Sequence, residues 1–210
     1  MFDARLRTLI DPPLEMLGSR LARFGVTANQ ITMVGFGFAI AAAGAIAWAT
    51  PLFGLLFVLL NRLCDGLDGA VARVNGKTDL GGYLDIVFDF FFYGGVPLAF
   101  AFADPGRNAL PAAALLFSFY ANGSAFLAYA IMAEKQGLET DKQGSKSLYY
   151  LGGLAEGGET IALFCLMCLW PAGFPVLAYS FAAVCLLSAG ARVIIAVRTL
   201  RETPASPLAD

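Results

Sequence analysis

Residues 65–89, DGLDGAVARVNGKTDLGGYLDIVFD, determine how the rest of the chain is organised. Within this stretch, four aspartates lie in sequence that is otherwise apolar enough to enter a membrane, where charges are costly unless they have a function. They are Asp65, Asp68, Asp85 and Asp89. The spacing is i,i+3 in the first pair and i,i+4 in the second, so each pair lies on one face of its own helix.

A helical hairpin that turns at residues 76–77 is predicted to bring the two pairs together. In this register Asp65 lies opposite Asp89. Asp68 lies opposite Asp85 in the same way, so we expect all four carboxylates to converge at a similar depth. Uncompensated negative charges repel one another strongly in a low dielectric, and a bound divalent cation relieves the repulsion. A set of carboxylate oxygens favours Mg²⁺ or Mn²⁺ over zinc.

The same stretch resembles the signature of the CDP-alcohol phosphotransferase family, also called the CDP-alcohol phosphatidyltransferases. The signature has the form D-x-x-D-G-x-x-A-R, followed by a glycine and then by D-x-x-x-D. Its fixed positions correspond here to Asp65, Asp68, Gly69, Ala72, Arg73, Gly82, Asp85 and Asp89. So many defined positions within one short stretch make a chance match improbable. The alternative is that the four carboxylates are held only as internal salt bridges.

The resemblance implies a reaction and a metal site. The reaction is transfer of a phosphatidyl or similar substituted phosphate group from a CDP-linked lipid to an alcohol acceptor, with release of CMP. Asp65, Asp68 and Asp85 would hold the metal, as two ions of Mg²⁺ or Mn²⁺. Asp89 would share in metal coordination and act as the base that deprotonates the acceptor hydroxyl. Because the chain contains no histidine, carboxylates are left to perform proton transfer.

The resemblance also implies the residues that meet the CDP part of the donor, namely Gly69, Ala72 and Arg73. A pyrophosphate approaching carboxylates needs a cationic side chain, which Arg73 supplies, and the two small residues leave room for a base or ribose against the helix. Gly82 is expected to let its helix approach a neighbour closely. Asn61 could extend the site by one helical turn or form a structural hydrogen bond. We also expect a homodimer.

Composition predicts an all-α integral membrane protein. Of 210 residues, 58% are hydrophobic and 14% are charged, which leaves too little polar sequence for a soluble domain. We divide the chain into an amphipathic juxtamembrane segment over 1–28, a six-helix domain over 29–202 and a disordered tail over 203–210. The net charge of −2 and the lack of a basic run exclude a nucleic-acid partner. The four cysteines are interpreted as buried packing residues.

The apolar runs predict six transmembrane helices behind an N-terminal amphipathic surface helix, which we expect to break at Pro12-Pro13. The predicted spans are residues 31–49, 52–74, 79–103, 110–132, 154–170 and 176–197, with a turn over 104–108. In the first span Gly35, Gly37 and Gly44 are expected to allow close helix approach. One side of the membrane then carries Arg5, Arg7, Arg20, Arg23, Arg73, Lys77, Lys135, Lys142, Lys146, Arg198 and Arg201, and the other carries Arg107. The positive-inside rule therefore places both termini in the cytoplasm and predicts that the aspartate hairpin opens to the cytoplasm, in a bacterial-type inner or cell membrane.

Polar residues late in the chain do not decide which alcohol is the acceptor. Glu156 and Glu159 could contact a polar or cationic acceptor, or they could be favoured at a helix start by the helix dipole. Arg192, together with Lys142 and Lys146, could bind an anionic acceptor such as glycerol phosphate. The same three cations could instead anchor the chain at the membrane interface.

Proteins of other classes could also carry such charges. A membrane transporter with an intramembrane carboxylate cation site is the main alternative, but it would not require Gly69, Ala72 and Arg73, and the chain shows no inverted repeat. A non-catalytic scaffold would tolerate the loss of an aspartate, and none is lost. Prenyltransferases with paired aspartate-rich motifs would be longer and would separate their two motifs more widely.

Overall fold

The computed structural model describes residues 2–135 and 157–202, with side chains for 11–135 and 157–201. Throughout these ranges the chain is all-helical, as predicted. The helices are α1 (Phe2–Arg23), α2 (Ala28–Ala47), α3 (Pro51–Asn75), α4 (Asp79–Ala103), α5 (Pro105–Lys135), α6 (Gly157–Leu169) and α7 (Phe174–Glu202), with a 3₁₀ turn over Pro171–Gly173. The predictions made for Lys142, Lys146, Glu156 and the tail over 203–210 lie outside the described residues.

Within residues 2–135 and 157–202, four helical segments are long and apolar enough to cross a membrane, which is the architecture of an integral membrane protein. They are α2, α4, α5 and the segment from the 3₁₀ turn through α7. Of the two other predicted spans, α3 has the length of a span but carries Arg62, Asp65 and Asp68 in its apolar sequence. The other, α6, is shorter than a full span over its described residues. The count of six spans stays a prediction.

Local chemistry sets where these helices begin. At the start of α2, Thr27 and Gln30 form a reciprocal capping box, in which each side chain accepts a hydrogen bond from the other's backbone N–H. The Thr78 hydroxyl accepts from the backbone N–H of Gly81 at the start of α4. The predicted turn over 104–108 is wrong, because α5 begins directly at Pro105. Proline suits a first helical position, and the Asp104 carboxylate accepts from the Arg107 backbone N–H at 3.2 Å.

The expected break in α1 is also absent. The helix runs through Pro12 and Pro13 without interruption. Both prolines are exposed, so their rings do not interrupt the packing of α1 on its neighbour. The opposite face of α1 lies on α3 through small residues, since a Cβ built on Gly18 would lie 2.6 Å from the Cβ of Ala70.

The second helix stands between the two helices that carry the aspartates. α3 packs on α2, α1 and α6, whereas α4 packs on α2 and α5. Direct packing between α3 and α4 is slight, although only residues 76–78 separate them. The predicted hairpin is therefore open. Its two arms, α3 and α4, each pack against α2 and are separated by a cleft.

The core joins the helices from α2 to α7. It contains one cluster of buried side chains that includes Ala42, Val58, Phe92, Leu115, Phe164 and Ala178, one from each of these six helices. Of the three glycines expected to allow close approach in α2, only Gly35 does so: its added Cβ would lie 2.9 Å from the Cβ of Cys64 in α3. Gly37 and Gly44 have nothing within 4 Å. All four cysteines are free; Cys64, Cys168 and Cys185 are buried as predicted, whereas Cys165 is only partly buried.

Candidate metal and nucleotide site

Three of the four aspartates meet across the cleft between α3 and α4. Carboxylate oxygens of Asp65, Asp85 and Asp89 all lie within 4.8 Å of one another. Asp65 projects from α3 and the other two from successive turns of α4, so the i,i+4 spacing of the second pair produces the predicted shared face. With Asp68 they line one small, partly open cavity. Three hard oxygen ligands at this separation fit Mg²⁺ or Mn²⁺.

Asp68 faces the same cavity but differs from the other three in its partner. Its side chain is buried, and its Oδ2 accepts a hydrogen bond from the Thr32 hydroxyl of α2 at 2.7 Å. The sequence analysis did not identify Thr32. The signal available was a polar residue one turn before Gly35, on the face of α2 that the glycine marks as close-packed. This hydrogen bond fixes Asp68 from the third helix of the site.

Arg62, which lies just before the predicted hairpin and had no predicted role, is a second additional residue of the site. Its guanidinium donates to Asp89 Oδ1 at 2.8 Å and lies 3.6 Å from Asp65 Oδ1. Its Nε donates to Asn61 Oδ1 at 2.8 Å, while Asn61 Nδ2 donates to the Gly35 carbonyl at 2.9 Å. Two roles were considered for Asn61, an extension of the site and a structural hydrogen bond, and the structure shows the hydrogen bond. The signal for Arg62 was a cation within an apolar span, one turn before Asp65.

The residues expected to meet the nucleotide lie one to two turns further along α3. A Cβ built on Gly69 would meet only the Arg73 guanidinium, at 3.5 Å, so the helix surface there is open. Ala72 is partly exposed. Arg73 is about half exposed, and its Nε lies 3.7 Å from Glu15 Oε1 of α1. An ion pair this exposed and this long stabilises little, so the guanidinium can turn to another anion.

The prediction for Gly82 is wrong. A Cβ at this position would meet nothing within 4 Å, so Gly82 does not bring α4 close to a neighbour. The neighbouring Gly81 does, because its Cβ would lie 3.1 Å from Asn29 Oδ1 of α2. Gly81 is four residues before Asp85, on the same face of α4. The close approach therefore occurs on the carboxylate side of the helix.

Two of the residues considered for the acceptor are described. Glu159 is partly buried at the start of α6, and its Oε2 has no hydrogen-bond partner among the described residues. Arg192 lies over the Phe126 ring, with its guanidinium carbon 5.4 Å from the ring centroid. The described contacts do not bring these two residues together with the aspartate cluster.

Residues 25–197 match the sequence profile of the family described as CDP-alcohol phosphatidyltransferase. The chain belongs to this family. It is 45% identical over 202 residues to the inner membrane protein YnjF of Escherichia coli (strain K12), covering 96% of this chain and 98% of that protein. It is 33% identical over 87 residues to an archaetidylinositol phosphate synthase of Pyrococcus horikoshii, covering 41% of this chain and 46% of that enzyme.

A solved structure shares the fold. The phosphatidylinositol phosphate synthase of Mycobacterium tuberculosis, determined with CDP-DAG bound, superposes with a TM-score of 0.61 over 92% of this chain and 94% of that one. The sequence identity is 24%. Enzymes of the family use a CDP-linked donor and an alcohol acceptor and depend on a divalent metal. The resemblance seen in residues 65–89 is thereby confirmed.

Proposed function

We propose that this protein transfers a phosphatidyl group from a CDP-linked lipid, such as CDP-diacylglycerol, to an alcohol acceptor and releases CMP. The observation that carries the proposal is the meeting of Asp65, Asp85 and Asp89 within 4.8 Å. Next to them, α3 presents an open surface at Gly69 and an available cation at Arg73. Family membership indicates the class of reaction, and we propose that the reaction takes place at this cluster.

The four aspartates would hold the divalent ions, either Mg²⁺ or Mn²⁺, at the cleft. Asp65, Asp85 and Asp89 face one another directly, and Asp68 is held at the same cavity by Thr32. When bound, the ions would neutralise the phosphate oxygens of the donor and stabilise the charge that develops during transfer. Two of the aspartates lie on α3 and two lie on α4. The distances between the ligands therefore depend on how these two helices pack against α2.

Arg73 would bind a phosphate of the CDP moiety. Its present partner Glu15 is exposed and distant enough to be exchanged for a phosphate, with which an arginine makes stronger, charge-assisted hydrogen bonds. The ribose or base would lie against the surface at Gly69 and Ala72, where no other element of the described chain fills the space above Gly69. The lipid tails would stay in the bilayer beside the helices.

Asp89 would act as the general base. It lies one turn deeper along α4 than Asp85, and its Oδ1 is engaged by Arg62, which leaves Oδ2 to accept the proton of the acceptor hydroxyl. The acceptor oxygen would then form a bond to the donor's lipid-linked phosphorus. The bond from that phosphorus to the CMP oxygen breaks, and CMP leaves with the electron pair.

The membrane arrangement is part of the proposal. We infer six spans, with α3 and α6 added to the four apolar segments, and α1 on the membrane surface. The cleft opens to the cytoplasm, because the basic residues gather on that side. The membrane is the bacterial inner membrane, as in the name of the Escherichia coli relative. The enzyme is a homodimer.

The test is CMP release by the purified protein in lipid nanodiscs. The substrates are CDP-diacylglycerol, Mg²⁺ and, in separate reactions, glycerol 3-phosphate, inositol phosphate and serine. The expected result is CMP release that requires both Mg²⁺ and one of these alcohols, with a phospholipid carrying that alcohol as the second product. Cation flux across proteoliposomes without CMP release from any combination would support the transporter and refute the transferase.

A further inference from the structure

We infer that Arg62 is a built-in counter-ion of the aspartate cluster, which holds Asp89 and Asp65 in place before any divalent ion binds. The inference rests on the proposed function in one respect, since it concerns how the same carboxylates receive a metal. Neither the family signature nor the sequence analysis assigns Arg62 a role. It is a positioning residue, because it acts on Asp89 and not on the substrate.

The contacts of Arg62 fix its guanidinium in one orientation. The side chain is 16% exposed. Its guanidinium carbon lies 4.5 Å from the centroid of the Phe92 ring and 5.8 Å from that of Tyr93, so two aromatic faces of α4 support it. Its Nε donates a hydrogen bond to Asn61, and its NH2 group donates one to Asp89. The planar guanidinium packs on aromatic rings and also pairs with a carboxylate. A lysine ammonium cannot reproduce both contacts, so Arg62→Lys would change the position of Asp89.

The hydrogen bonds of Arg62 form a link across three helices. The Gly35 carbonyl of α2 accepts from Asn61 of α3, whose Oδ1 accepts from Arg62, whose NH2 group donates to Asp89 of α4. Because α3 and α4 otherwise contact each other little, this link joins them directly at the cluster. Together with the packing of both helices on α2, it sets the distance between Asp89 and Asp65. The spacing of the metal ligands therefore depends on Arg62.

The charge of Arg62 acts on the same carboxylates as a divalent ion would. Arginine stays protonated in proteins, so it offsets one of the four negative charges at every accessible pH. It thereby reduces the repulsion that destabilises the empty cluster, and it also weakens the attraction for an incoming cation. Removing Arg62 takes away both a charge that opposes the cation and a contact that positions Asp89, and we expect the loss of charge to dominate. Metal binding then becomes tighter, and by linkage the stability of the protein depends more on metal.

The experiment compares wild type, Arg62→Gln and Arg62→Lys as full-length proteins in detergent. Thermal unfolding is measured in EDTA and in saturating Mn²⁺, and Mn²⁺ affinity is measured by titration calorimetry. We expect Arg62→Gln to unfold several degrees below wild type in EDTA, to recover most of this loss in Mn²⁺, and to bind Mn²⁺ on the order of tenfold more tightly.

Arg62→Lys separates charge from geometry, and Arg107→Gln is the matched control. Lysine keeps the charge, so Mn²⁺ affinity should remain near that of wild type, whereas kcat falls with little change in KM because Asp89 is no longer held. Arg107 donates to the Ala172 carbonyl at the opposite end of the helices. Its replacement removes a charge and an interhelical hydrogen bond, and it should lower the unfolding temperature equally in EDTA and in Mn²⁺.

The outcomes distinguish this inference from the proposed function. A wild-type protein that binds no Mn²⁺ refutes the metal site. In that case, lower stability of Arg62→Gln than of wild type in EDTA still supports the counter-ion role, and equal stability refutes it. If wild type binds Mn²⁺ and Arg62→Gln binds it equally or more weakly, or loses the same stability in both conditions, the inference is overturned. If Arg62→Gln does not fold, an Arg62→Lys variant with wild-type kcat overturns it.

Discussion

Asp89 and Asp68 are chemically identical side chains that lie in different surroundings. Asp89 is fixed by the charged Arg62 and keeps one oxygen toward the cavity. Asp68 is buried and accepts from the neutral hydroxyl of Thr32. The first arrangement orients a carboxylate at the cavity, as the proposed general base requires, and the second holds a carboxylate in place, as a proposed metal ligand requires.

The first prediction concerns this division at the level of single residues. Asp89→Asn should lower turnover on the order of 10²-fold or more and leave the affinity for a CDP-linked lipid largely intact. Arg73→Ala should first weaken that affinity, because a charge-assisted phosphate contact is lost, whereas Glu15→Gln should retain it. Calorimetric binding beside CMP release measures both. If Asp89→Asn loses metal and nucleotide binding as completely as Asp68→Asn does, then Asp89 is mainly a ligand.

A second prediction follows from the hydrogen bond on Asp68. Thr32→Val removes the hydroxyl at nearly constant volume, so we expect a stability loss of about 1 kcal/mol. We also expect an apparent Mg²⁺ affinity lower on the order of tenfold, because the carboxylate is no longer oriented. Thr32→Ser keeps the hydroxyl and is the control. The measurements are thermal unfolding and the Mg²⁺ dependence of CMP release. Unchanged Mg²⁺ dependence in Thr32→Val would show that this bond serves packing alone.

At the scale of the helices, α2 sets the width of the cleft, because α3 and α4 both pack against it. The contact with α3 is closest at Gly35, whose carbonyl also accepts from Asn61. On the other side, the Phe36 ring of α2 stacks on Phe88 of α4, with ring centroids 4.2 Å apart. Adjacent residues of one helix thus position the two arms.

Two glycines of α2 give a matched pair for the third prediction. Gly35→Ala would place a Cβ 2.9 Å from the Cys64 Cβ, so α2 and α3 must separate, at a cost of about 1–3 kcal/mol. Gly37→Ala meets nothing within 4 Å and should instead stabilise the helix by roughly 1 kcal/mol. Chemical unfolding of the two variants in detergent checks the opposite signs. Equal effects would mean that the Gly35 contact does not limit the approach of α2.

The helices and their site differ in how far the sequence could predict them. Apolar periodicity and the capping residues predict where α2, α3 and α4 lie, and the aspartate spacing predicts which carboxylates share a face. The opening between α3 and α4 could not be predicted in this way. It depends on how α2 packs between them, which is a tertiary effect that no local pattern encodes. For the same reason, the sequence marks Thr32 and Arg62 as polar residues in apolar helices, but their partners Asp68 and Asp89 could be identified only in three dimensions.

At the scale of the whole molecule, the arrangement in the membrane gives the fourth prediction. Lys77→Cys should react with an impermeant thiol reagent only from the cytoplasmic side, and Gly106→Cys only from the outside. Both positions are exposed. The neighbouring Asn108 would be unsuitable because it is 5% exposed and donates to the Phe100 carbonyl. Gly76 would be unsuitable because its φ of 94° disfavours a side chain. The reverse labelling pattern would overturn the orientation.

The central claim is that the carboxylates meeting across the cleft form a metal site for phosphatidyl transfer. The most direct measurement is Mg²⁺-dependent CMP release from CDP-diacylglycerol by wild type, Asp65→Asn and Asp85→Asn, one ligand from each helix arm. Asp79→Asn is the matched control, because this aspartate lies in the first turn of α4 and outside the cluster. We predict that both cluster variants fold and lose CMP release, while Asp79→Asn retains it. Near wild-type turnover in either cluster variant would contradict the account.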